Sequence, residues 1–137
     1  MLANRQITRN AAVSFVGWQL SRRGWNVQYR VLNARGVVEL HIEDGDNNKS
    51  FSVQPRGLSG VRTDIGLGKG NVGSLPSDWW VITVGVHTDQ PTCYVLSRNE
   101  VVGRAKRDSD GQQWLTWRDF AREEYCEAWH RIGNGSD

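Results

Sequence analysis

A chain of 137 residues, 38% hydrophobic and 23% charged, has the size and composition of one soluble globular domain, spanning 1–137, with two or three packed layers. No apolar run approaches the roughly 18 residues of a membrane span, and the polar start MLANRQITRN is followed by no secretory h-region, so a cytoplasmic protein is expected. The net charge of +2 divides unevenly: residues 1–70 hold ten Lys/Arg against five Asp/Glu, and residues 71–137 hold seven against ten. A basic half can be the footprint of a polyanion partner.

The segment from Arg9 to Arg23 places Ala12, Phe15, Val16, Gln19 and Leu20 near one face at helical spacing, which predicts a helix with Asn10 as N-cap and Gly24 as its end. WNVQYRVLN alternates as a half-buried strand; VVELHIED and KSFSVQPR follow as second and third strands around the turns ARG and GDNN, giving an antiparallel meander. GLSGVRTDIGLGKGNVGSLPSD, rich in glycine, reads as a long exposed loop outside any sheet. The apolar runs WWVITVGV and PTCYVLS read as strands deep in the sheet. Ser97, with Glu100 three residues on, can box the start of a short helix. QQWLTW is a short strand or irregular, and WRDFAREEYCEAWHRI has helical spacing of Phe120, Tyr125 and Trp129. This order predicts an α/β fold: a three-layer α/β/α sandwich around a mixed central sheet, with helices on both faces.

Cys93 and Cys126 fit no metal-ligand spacing and read as reduced thiols in or near the core. Glu43, Asp44 and Asp46 form a hairpin turn rather than a calcium loop, because no glutamate closes the frame. Most of the seven tryptophans are expected in the core, with Trp18, Trp79 and Trp80 at least partly inside, and one of Trp114 and Trp117 is a candidate for exposure.

Several local words, RRGWNVQYRVLNARGVVEL, FSVQPRGLSG, GLGKG, DWWVI, CYVLSRNEV and YCEAWHRIG, resemble the PD-(D/E)xK nuclease superfamily. The likeness is to small bacterial restriction-endonuclease-like and Holliday-junction-resolvase-like domains, and it covers nearly the whole chain. It implies a restriction-endonuclease-like core and a site on the second and third strands. There, carboxylates hold a divalent metal, usually magnesium, and a lysine assists the attacking water. The first aspartate of that pattern falls at Val38 or, one residue on, at Glu39, and neighbouring strand residues face opposite sides. Gln54 stands at the second acidic position and Arg56 at the lysine. A guanidinium grips phosphate but cannot act as a base. Pro55, between them, should bend or end the strand, and the first helix lacks the acid that the family often places near its start.

The resemblance with these departures implies a catalytically degenerate nuclease-fold protein that binds DNA or a protein partner without cleavage. Glu39, Gln54 and Arg56 would be its vestigial site, Arg35, Arg56, Arg62 and Lys69 its nucleic-acid contacts, and it would use no cofactor. Two alternatives stay open: an active magnesium-dependent endonuclease using Glu39 and Gln54, and an interaction or inhibitor module that uses the fold as a scaffold. A homodimer is compatible with each.

Overall fold

Ala12, Val16 and Leu20, four residues apart, form the inner stripe of the first helix, and all three are buried. The computed structural model, which describes residues 4–32, 37–46, 48–60, 62–68 and 77–133, gives this helix, α1, the span Asn4–Ser21. It starts earlier than the expected Asn10 cap, because the residues before Asn10 contain no breaker. Gly24, at φ 96°, closes it, with Gly24 N–H donating to Ser21 O and Trp25 N–H to Leu20 O.

The strands β1 (Asn26–Val31), β2 (Val38–Asp44) and β3 (Lys49–Leu58) form the expected antiparallel meander. Asp44 accepts the Asp46 amide in the β2–β3 turn. After β3 the chain makes β4 (Ile65–Gly68) and crosses to β5 (Trp79–Val84), which pairs parallel with β3; β6 (Thr92–Ser97) then adds antiparallel to β5. The result is a five-stranded mixed sheet in the order β1-β2-β3-β5-β6, and the α/β class follows as predicted. Every residue of β5 is buried, as its unbroken apolar run requires of a strand covered on both sides.

Period-two alternation divides the core. Leu40, Ile42, Val53, Trp79, Val81, Cys93 and Val95 join Val16 and Leu20 of α1 in one cluster. Trp80, Ile82, Val84 and Leu96 face the other way, where they meet Val101 of α2 (Arg98–Arg104) and Phe120 of α3 (Trp117–Phe120). Ile65 and Leu115 belong to that second cluster and to a small sheet of β4, β8 (Gln113–Leu115) and β7 (Lys106–Arg107). The reading of residues 57–78 as a loop outside any sheet is therefore corrected: Ile65 pairs with Leu115 and is buried. The short run around Ile65 shows its strand character only once β8 offers an edge.

Ser97 caps α2 through the predicted box with Glu100. The long C-terminal helix does not form. The chain breaks after α3 into short 3-10 turns at Glu123–Tyr125 and Trp129–Arg131. Between them Cys126 bridges to Tyr94, Glu127 N–H donates to Cys93 O at 2.7 Å, and the Glu127 carboxylate accepts the Cys93 amide. Satisfying the open edge of β6 outweighs helix propensity here. Cys126 is consequently exposed, whereas burial pushes the Cys93 thiol up to about 12. Trp18 also departs from expectation: it is 56% exposed on the outer side of α1, flanked by Phe15 and with the Arg22 guanidinium stacked on its ring. Trp114 and Trp117 are both half-buried.

Candidate functional site

Pairing between β2 and β3 ends at Leu40–Val53, while β3 runs on to Leu58 against β5. Beyond Val53, β3 has no further ladder partner in β2 among the described residues. Pro55 sits in this stretch without ending the strand: it keeps its parallel pairing opposite Val81. Extending the Leu40–Val53 register by two residues sets Pro55 opposite Val38. The Val38 carbonyl, which proline cannot serve, accepts from Gln54 Nε2 at 3.2 Å. A side-chain donor replaces the missing ladder bond, and the strand runs on past the proline.

The same register sets the two alternatives for the first acidic position on opposite faces. Leu40 and Val53 share the α1 face, so Glu39 and Gln54 lie opposite one another on the other face, with Arg56 two residues further along it. Val38 belongs to the α1 side and packs on that core. Glu39 is only 4% exposed. Its carboxylate accepts the Ser77 hydroxyl at 2.7 Å and lies 3.9 Å from its cross-strand neighbour Arg30. Gln54 turns its amide to Val38 O and Pro55 O. The two side chains share a face but spend their polar atoms on separate partners. Magnesium needs several hard oxygens in octahedral array, and one carboxylate engaged by a serine and an arginine, beside a neutral amide, does not fit it. Among the described residues no group of three His, Cys, Asp or Glu could hold a metal.

Arg56 has a different setting. Its guanidinium donates to Gly66 O of β4 at 3.2 Å and lies 6.0 Å from the centre of the Trp80 ring. Trp80 is 3% exposed, and its indole N–H has no acceptor among the described residues. Burial, and after it the charge of Arg9, pushes the Arg56 pKa down from the ordinary guanidinium range; an arginine so perturbed still carries its charge at neutral pH.

Arg9 reaches this place because α1 lies directly on β3. A Cβ on Gly57 would stand 2.7 Å from Ala12 Cβ and 2.9 Å from Thr8 O, so only glycine admits the helix at this distance. The end of β3, the first turns of α1 and β4 together enclose a cavity of about 840 Å³ lined by Arg5, Thr8, Arg9, Gln54, Arg56 and Trp80 among others. No Asp or Glu is among the described residues that line it.

Of the two expected nucleic-acid contacts among the described residues, Arg56 lines this cavity and Arg62 does not. Arg62 is exposed, in left-handed backbone at φ 58°, and its neighbour Thr63 lines the wall instead. Arg35 and Lys69 fall outside the described residues. Arg5 and Arg9 are not among the expected contacts, although their spacing of four residues puts them on one helix face, a signal present in RQITR. Arg5, in the first turn of α1, opposes the helix macrodipole. Compared with known proteins, the chain matches no family model, no curated protein and no solved structure.

Proposed function

We propose that this chain is a nuclease-fold domain without metal-dependent cleavage that holds nucleic acid by its phosphates in the cavity beside β3. The observation that carries this reading is the convergence of Arg5, Arg9 and Arg56 on one cavity with no carboxylate among its described lining residues. Clustered guanidiniums repel one another, and a phosphate accepting paired N–H bonds relieves that repulsion. The β2–β3 hairpin supports the rest of the reading. It brings Glu39, Gln54 and Arg56 to one face, as the resemblance implies, yet Glu39 is engaged by Ser77 and Arg30 and the third position is a guanidinium that cannot serve as a base.

The test is an anisotropy titration of labelled single-stranded and duplex DNA over a salt series, with wild type and the Arg9→Ala/Arg56→Ala variant. For every phosphate that the variant no longer neutralises, the log-log salt slope should fall by about 0.9 on duplex or about 0.7 on single strands, together with the affinity. Absence of binding at low salt would leave the scaffold reading in its place. Plasmid nicking in magnesium that disappears in Glu39→Ala would restore the endonuclease.

A further inference from the structure

Five large apolar side chains are exposed among the described residues: Ile7, Trp18, Tyr29, Val31 and Leu32. Three of them fall at the end of β1 or just after it, Tyr29, Val31 and Leu32, and Leu32 lines the arginine cavity. β1 is an edge strand, and Tyr29 and Val31 alternate onto its α1 side, opposite Leu40 and Val38. They stand about 6.7 Å apart by strand geometry. Tyr29 and Val31 therefore stand along the edge of the sheet, and Leu32, the next residue, lines the cavity.

Tyr29 is 58% exposed, yet it is held in place. Its hydroxyl lies against Gly17 of α1, where a Cβ would collide with that oxygen. Glycine in the middle of a helix is unfavourable by about 1 kcal/mol relative to alanine, and here it gives the tyrosine ring a seat on the helix. A fixed aromatic ring with its surface in water suits stacking against a flat partner.

We infer that the cavity receives single-stranded nucleic acid in preference to duplex, with the backbone gripped by Arg5, Arg9 and Arg56 and the adjoining bases laid on Leu32, Val31 and Tyr29. This rests on the phosphate reading above and adds the class of nucleic acid. A cleft with a half-buried arginine between a helix and a strand admits one chain. In a duplex the bases are already stacked on each other and turned away from such side chains, whereas an extended strand offers its bases freely.

The experiment compares an unstructured oligonucleotide with a hairpin duplex of equal phosphate number, at one salt concentration, for wild type, Tyr29→Ala, Tyr29→Phe and Gly17→Ala. Wild type should prefer the single strand. Tyr29→Ala should weaken single-strand binding about tenfold and leave duplex binding unchanged. Tyr29→Phe should keep the preference, and Gly17→Ala, which displaces the tyrosine, should reduce it in a protein that remains folded by circular dichroism. Equal binding of both ligands, abolished alike by Arg9→Ala/Arg56→Ala, would overturn the single-strand inference and leave the phosphate site standing. No binding of either would end both. Concentration-dependent dimerisation abolished by Tyr29→Ala would assign these side chains to a second copy of the chain and also overturn the inference.

Discussion

Arg131 and Arg56 are both half-buried in the fold, and their charges meet opposite surroundings. Arg131 lies in the C-terminal region, 11% exposed at its side chain. It pairs with Glu100 at 2.6 Å, donates to Val95 O, and lies between the rings of Trp79 and Tyr125. Its partner Glu100 completes the box that starts α2. Lys106 with Asp119 and Arg104 with the Tyr125 hydroxyl repeat the theme nearby. Arg56, beside the cavity, meets a carbonyl, an indole ring and another arginine's charge, with no carboxylate among its described partners. A cation matched to a carboxylate holds elements together, whereas a cation held beside another cation leaves attraction to spare for a ligand.

The sharpest break of this contrast is Arg131→Met. It leaves Glu100 half-buried without its cation, and stability to urea should fall by about 3–5 kcal/mol. Adding Glu100→Gln should recover part of the loss, and a change below about 1 kcal/mol for Arg131→Met would show the pair to be dispensable. The mirror substitution, Arg56→Met, should keep stability within about 1 kcal/mol of wild type, because it removes a repelled charge and puts an apolar chain against Trp80. It should nevertheless lose at least about tenfold in affinity for DNA. A large loss of stability would move Arg56 into the same structural class as Arg131.

The smallest effect is a pH dependence. Burial acts to raise the Asp119 pKa, but the ammonium of Lys106 at 2.5 Å and the Thr116 hydroxyl and amide outweigh it, and the carboxyl is held below its usual range. A depressed folded pKa gives stability that is present above the unfolded value of about 3.9 and is lost as pH falls through the folded one. Denaturation of wild type should therefore steepen below about pH 4 relative to Asp119→Asn. The difference should stay near ~1 kcal/mol, since Lys106 is largely exposed. Parallel pH curves for the two proteins would remove Asp119 from the stabilising set.

The sheet was legible in the sequence because alternation in WNVQYRVLN, VVELHIED and KSFSVQPR, and the unbroken apolar run of β5, each impose their own burial. The C-terminal segment fits helical spacing and yet forms no long helix, because the deciding bonds, from Glu127 to Cys93, join positions 34 residues apart. The same holds for the site. Gln54 and Arg56 could be placed on one face by period two, and that Glu39 rather than Val38 shares that face shows only in the register with β3. Arg5 and Arg9 are remote from Arg56 in sequence, and only the packing of α1 on β3 brings them together.

That packing rests on Gly57. The helix with Arg5 and Arg9 and the strand with Arg56 touch where Gly57 has no side chain, so the separation of the two walls is set when the chain folds. The cavity then behaves as a gauge of fixed width. A ligand of the proposed site would then enter without waiting for a closure step, its rate of capture following encounter and charge rather than rearrangement.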